Sequence, residues 1–318
     1  MVINPDEIKL FRNVIRITAE DSPNVKFARA QESVGIHPDN TIIIPDVLTW
    51  QQYVERRNTM DIEQQTVALD ANFYQGAAVM LFPEEWLNYS YQLADNLVSQ
   101  RTKRVTKAIG IDPAEGGDRT AMCAVDDYGV VELISKKTPN TDTIYHEALN
   151  FMLRHNVPPD RVIFDRGGGG KQHADRIRAQ GYPVKAIGFG EKIGVEPKRG
   201  IRLFRDKVTT REESFVYFNR RAQLYGTLSD IMDPSFAGFA IPRRYSIIRD
   251  QLKVIPKVYV EGRLKLPPKN RTSADDSSKK EKTLVELIGY SPDEADSLVL
   301  AVFGMLNRGP AATAGAIT

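Results

Sequence analysis

The feature that most constrains this chain is a run of short apolar strands between residues 107 and 165, two of which end in aspartate. KAIGID (107–112), RTAMCAV (119–125) and VVELISK (130–136) all read as strands. The second and third are joined by Asp126-Asp127-Tyr128-Gly129, a composition suited to a tight hairpin turn. A helical stretch over about 141–155 follows, then a strand VIFD (162–165), a glycine run at 167–170, a helix near 171–180 and a strand VKAIGF (184–189). Three hairpin-linked strands, a helix and a returning strand predict an α/β protein with a central mixed sheet flanked by helices. With the fourth strand beside the first, Asp112 and Asp165 meet at one edge of that sheet.

The 318 residues give room for a second module. Residues 1–100 read as a smaller, mostly helical segment, with helices over about 46–60 and 83–99 and one apolar strand, TIIIP, at 41–45. Residues 101–310 form the sheet domain, and 311–318 a tail. Within the sheet domain the pattern predicts a long helix at about 209–232, a hairpin around Glu261-Gly262 and a polar loop, KNRTSADDSSKKEK, at 269–282. The last element opens with Ser291-Pro292-Asp293-Glu294, where a serine cap, a proline in the first turn and a glutamate three residues on spell a capping box. The helix that follows offers Leu298, Val299, Val302 and Phe303 as a buried face.

Composition removes several function classes. A single cysteine, Cys123, excludes an intramolecular disulfide framework, and with four histidines at no ligand spacing it also argues against structural zinc. No apolar run reaches membrane-span length, and the N-terminus lacks signal-peptide character, so no membrane partner is expected. Residues 1–100 hold 7 Lys/Arg against 14 Asp/Glu, whereas the remainder holds 36 against 27. The basic part suits a polyanionic partner.

Four aspartates carry the chemistry. Asp112 and Asp165 end strands, and Asp293 and Asp296 sit three apart at the start of a helix, so both can face one point. Hard divalent cations take oxygen ligands, and a cation pair can clamp both oxygens of a displacement at phosphorus. Taken singly, each aspartate also suits a turn or a helix N-terminus. Of the last two, Asp296 lies deeper in the helix, where an acid has less structural reason to be. Basic residues that could meet a phosphate backbone are Lys171 after the glycine run, then Lys198, Arg199, Arg202 and Arg205, the Arg220-Arg221 pair, Arg243 and Arg244, and Arg263 and Lys265 on the hairpin. No base-reading motif is present.

The strand order resembles a ribonuclease H-like fold, and actin-like ATPase domains open similarly. The motifs AIGIDPAEGGDRTA (108–121), VIFDRGGGG (162–170), FNRRAQLYGTL (218–228), QLKVIP (251–256) and SPDEADSL (291–298) together resemble the nuclease domain of the phage terminase large subunit. Residues 1–100 are similar to the segment that follows the ATPase core in that family. The resemblance implies metal-dependent, largely nonspecific cutting of concatemeric double-stranded DNA with two divalent cations, Mg2+ or Mn2+. It implies an acidic set of Asp112, Asp165 and the Asp293/Asp296 pair, with Asp118 as an accessory acid. It also implies a terminase small subunit, a portal and an ATPase motor as partners, in the cytoplasm of an infected host. The chain itself lacks G-x-x-x-x-G-K-[ST], so no ATPase is expected of it and the motor would be a preceding or separate polypeptide. Alternative readings are another ribonuclease H-like nuclease, a resolvase or transposase, and an actin-like ATPase half.

Overall fold

The computed structural model describes residues 16–60, 65–71, 80–114, 119–193, 201–203, 207–209, 217–235, 238–260, 262–271 and 282–306. The chain divides into two compact units, Met1–Ala77 and Ala78–Thr318.

In the first unit, helix α1 (Pro23–Ser33) begins with proline in its first turn, and α2 (Trp50–Thr59) is closed by a capping box between Thr49 and Gln52. The strand expected at 41–45 does not form. Ile42, Ile43 and Ile44 are exposed in a bent segment, because one carboxamide replaces a neighbouring strand. Asn24 Oδ1 accepts the Ile43 and Ile44 N–H groups at 2.7 and 2.9 Å, and its Nδ2 donates to Ile44 O and Val47 O. Saturating the backbone this way removes the drive to pair with another strand.

The second unit opens with α3 (Glu84–Ser99), so the division expected at residue 100 falls inside it. Leu87, Tyr91, Ala94 and Leu97 recur at helical spacing and are buried. Ser90 ties this helix to a distant segment, donating to Phe239 O at 2.6 Å and accepting from Ile241 N at 2.9 Å. The strands follow as β1 (Ala108–Asp112), β2 (Arg119–Asp126) and β3 (Gly129–Lys137), then helix α4 (Asp142–His155) and β4 (Val162–Asp165). Next come α5 (Gly170–Arg178) and β5 (Lys185–Ile187). The sheet order is β3-β2-β1-β4-β5, with β1 antiparallel to β2 and parallel to β4. That is the arrangement expected from sequence.

Two further strands, β6 (Ile201–Leu203) and β7 (Lys207–Thr209), pair with each other just ahead of the expected long helix, of which 210–216 lie outside the described residues. The helix itself, α6 (Arg220–Met232), begins later, because Asn219 caps it by accepting the Ala222 N–H at 3.0 Å. Helix α7 (Ser246–Leu252) leads to the expected hairpin of β8 (Val258–Val260) and β9 (Arg263–Lys265). A short α8 (Leu284–Ile288) precedes α9 (Asp293–Leu306).

Period-two alternation assigns the sheet faces. Ile109, Ile111, Val162 and Phe164 pack with Tyr145, Phe151 and Ile177 of α4 and α5. Ala108 and Ile163 face the opposite layer, with α6 and α9. Helix α9 is apolar almost all round and is correspondingly buried, with Leu298, Val299, Leu300 and Ala301 at 0% exposure and Phe303 only half-buried. It lies directly on β1 at Gly110. A Cβ there would stand 2.0 Å from Ser297 O and 2.3 Å from Ala301 N, so only glycine lets the helix backbone sit this close. Cys123 is buried in β2, as expected.

Candidate metal centre

The same alternation aims the strand-end acids. Ala108, Gly110 and Asp112 share the α9 side of β1, and Ile163 and Asp165 share that side of β4. The parallel register pairs Gly110 with Ile163 and Ile111 with Phe164, so one further step sets Asp112 beside Asp165. Asp112 is buried and Asp165 half-buried. Asp293 and Asp296, 4% and 0% exposed, come from the first turn of α9.

A residue that sequence reading assigned to a polar loop stands among them. Lys269 Nζ lies 3.1 Å from Asp296 Oδ2, 3.3 Å from Asp293 Oδ1 and 3.6 Å from Asp112 Oδ2. Asp112 Oδ2 is buried without a hydrogen bond. Asp165 is oriented by the glycine turn, whose Gly167 N–H donates to its Oδ1 at 3.2 Å.

The helix acids have unequal surroundings. Asp293 accepts the Arg119 N–H at 3.1 Å on Oδ2 and the Ser291 hydroxyl on Oδ1, which ties the start of β2 to the start of α9. Asp296 accepts the Tyr225 hydroxyl at 2.7 Å on Oδ1, and Arg221 Nη2 stands 3.7 Å from its Oδ2. The expectation that Asp296 has little structural role is therefore corrected: it neutralises a buried guanidinium. Glu294 does not close the expected capping box. Its carboxylate instead accepts from Ser135 Oγ and from Gln251 Nε2, the latter at 2.6 Å, while Gln251 Oε1 takes the Ala295 N–H at 2.8 Å. Gln251 of α7 thus caps α9 in place of the local box.

The charges shift in opposite directions. Burial pushes the Asp112 carboxyl well above the usual carboxylate range; Lys269 opposes this and the neighbouring acids reinforce it. Burial also raises Asp165, against the pull of the Gly167 N–H. Burial disfavours ionisation of Asp296 too, but Arg221, Lys269 and the Tyr225 hydrogen bond outweigh it and hold that carboxyl below its ordinary value. For Lys269, the carboxylates outweigh burial and hold the ammonium above its usual range. Burial, reinforced by the Asp296 charge, raises the Tyr225 phenol well above its ordinary value, which keeps the hydroxyl a donor.

The donor set fits a hard divalent cation: several carboxylate oxygens, one of them buried without a hydrogen bond, already surround a positive charge. Among the described residues no three acidic, histidine or cysteine side chains stand ready to grip one ion. Instead, the ammonium of Lys269 holds the centre. Asp118 lies outside the described residues, as do Lys198, Arg199 and Arg205, and Arg202 is placed only by its backbone in β6.

The remaining basic candidates separate. Lys171 is exposed in the first turn of α5. Arg243 is engaged with Asp95 at 3.0 Å and covers the Tyr91 ring, and Arg244 lies over Tyr245, so both pack against the protein's own surface. Arg263 and Lys265 flank the exposed Phe218 ring at 5.1 and 5.3 Å, on a strand that ends four residues before Lys269. Sequence reading took Arg221 for a surface cation and passed over Tyr225 and Lys269. The four-residue spacing of Arg221 and Tyr225 within NRRAQLY was the available signal for a shared inward face.

A five-stranded mixed sheet in this order with helices on both faces has a ribonuclease H-like α/β fold. No family model and no curated protein matches the sequence. Among solved structures, the chain is similar to the nuclease domain of the large terminase subunit gp2 of bacterial virus Sf6. A variant of that domain with manganese and β-thujaplicinol superposes with a TM-score of 0.53 at 16% identity, over 73% of this chain and 100% of that one. A variant with calcium and the unsubstituted domain each give 0.52 at 16% identity over the same shares. The fold of this chain is thus that of a phage terminase nuclease domain.

Proposed function

We propose that this chain is a metal-dependent endonuclease that cuts concatemeric duplex DNA during packaging of a viral genome. The observation that carries the reading is the convergence of Asp112, Asp293 and Asp296 on the Lys269 ammonium, with Asp165 beside Asp112 on the neighbouring strand, in a terminase-nuclease fold. Asp112, Asp165 and Asp296 would hold two divalent cations, Mg2+ or Mn2+. Asp293 is the fourth candidate ligand, and its Oδ2 also keeps β2 and α9 together by accepting the Arg119 N–H. Divalent cations held there would supply Lewis acidity to a water and to the phosphate oxygens.

The chain's own groups do the rest. Lys269 marks where positive charge is tolerated among the carboxylates, the place a cation would take. Gly167 holds Asp165 in its orientation, and Gln251, Ser135 and Glu294 fix the start of α9. Arg263, Lys265 and exposed Lys171 are the described cations best placed to meet the phosphate backbone. The chain's partners in the packaging assembly would be a small subunit, a portal and an ATPase motor domain, in the host cytoplasm. Among the described residues no helix is long and apolar enough to cross a membrane.

The experiment is nicking of supercoiled plasmid with Mg2+ or Mn2+ and with EDTA, using wild type and Asp112→Asn. Cutting that requires the cation and is lost in Asp112→Asn supports the reading. Cutting in EDTA, or undiminished cutting by the variant, overturns it.

A further inference from the structure

Asp296 is gripped by two residues on successive turns of α6. Tyr225, at 0% exposure, gives its hydroxyl proton to Oδ1 at 2.7 Å. Arg221, four residues earlier on the same helix face, stands on the Oδ2 side at 3.7 Å. The grip is anchored at its base. The Arg221 N–H donates to Phe189 O at 2.9 Å, its guanidinium lies 4.6 Å over the Phe189 ring, and Asn219 caps the helix. The two oxygens of Asp296 therefore have different duties. Oδ1 is committed to the phenol, and Oδ2 faces the centre, where Lys269 Nζ stands 3.1 Å away.

Resting on the metal-dependent reading of this site, we propose that Tyr225 is a positioning residue that sets cation preference, by making Asp296 a one-oxygen ligand. Ca2+ gathers six to eight oxygens and readily takes both oxygens of one carboxylate, whereas Mg2+ demands near-octahedral geometry with one oxygen from each. A phenol that withholds Oδ1 costs Mg2+ little and denies Ca2+ one of its preferred contacts. Mn2+, also octahedral with oxygen ligands, falls with Mg2+.

The test is calorimetric titration of the full chain with Mg2+, Mn2+ and Ca2+, comparing wild type with Tyr225→Phe. The variant keeps the ring and frees Oδ1. The Ca2+-to-Mg2+ affinity ratio is expected to rise by about tenfold in the variant, the low end of what losing a ligand's hydrogen-bond partner costs. A merely structural role would weaken both ions alike. Diffraction from wild-type crystals soaked in Ca2+ gives a second readout that does not depend on the variant folding: Asp296 should meet the ion through Oδ2 alone, with Oδ1 still bonded to Tyr225. Chelation by both Asp296 oxygens in wild type, or an unchanged ratio in a folded variant, overturns the role of Tyr225 while leaving metal-dependent cutting intact. Absence of any divalent binding by wild type would overturn the metal reading and this inference together.

Discussion

Gly110→Ala should break the site without touching a ligand. The new Cβ would lie 2.0 Å from Ser297 O and 2.3 Å from Ala301 N, both backbone atoms of α9 that cannot rotate away. Ordinary contact at about 3.5 Å requires the helix to withdraw from β1 by about 1.5 Å. Overpacking of this kind costs about 1–3 kcal/mol and sometimes more, and a contact with backbone belongs at the upper end. For a unit of this size, about 3 kcal/mol corresponds to a fall of roughly 6–12 °C in Tm. The consequence at the site is larger than the loss of stability. Metal–ligand distances tolerate about 0.2 Å, so the shift separates Asp293 and Asp296 from Asp112 and Asp165. Thermal melting and Mg2+ titration of the variant measure both effects, and Gly190→Ala is the control, since nothing lies within 4 Å of a Cβ there. A Gly110→Ala protein with wild-type Tm and wild-type Mg2+ affinity would refute the argument that α9 is positioned by this contact.

In EDTA at neutral pH, Asp112→Asn should raise stability, because its charged form is disfavoured by burial, whereas Asp296→Asn should lower it by about 3 kcal/mol by stranding the Arg221 guanidinium. Urea denaturation reads both signs, and a stabilised Asp296→Asn would contradict the assignment. The metal-free protein should gain stability as pH falls from neutral through the raised pKa of Asp112, since its folded state binds the proton before the unfolded chain does. It should lose stability once pH falls below the ordinary carboxylate range through the depressed pKa of Asp296, while Mg2+ affinity falls throughout that descent; a flat affinity profile would exclude Asp112 as a ligand. DNA affinity should fall steeply with salt, and Arg263→Gln should reduce the log–log slope by about 1; an unchanged slope would remove the hairpin from the DNA surface.

The sheet was legible because its strands are short, apolar and punctuated by turn residues, and because β1 and β4 each end in an acid that their alternation aims at one side. The acids of α9 were legible for the same reason: three-residue spacing at a helix start. What the sequence concealed were partnerships made across long separations. Lys269 sits in a polar stretch whose composition reads as solvated loop, and nothing local indicates that three carboxylates surround it. Gln251 and Glu294 satisfy each other across the α7–α9 contact, which overrode a well-formed capping box. TIIIP has the composition of a strand, yet the carboxamide of Asn24 takes its backbone groups. Local propensity lost each time to a side chain supplied from elsewhere in its own unit.

The central claim is that these aspartates hold divalent cations where Lys269 now stands. Anomalous diffraction from crystals of the wild-type chain soaked in Mn2+ tests it most directly. Manganese peaks are expected bounded by Asp112, Asp165 and Asp296 Oδ2, with the Lys269 ammonium displaced and Asp296 Oδ1 still bonded to Tyr225. Manganese bound elsewhere, with Lys269 still seated among the carboxylates, would contradict it.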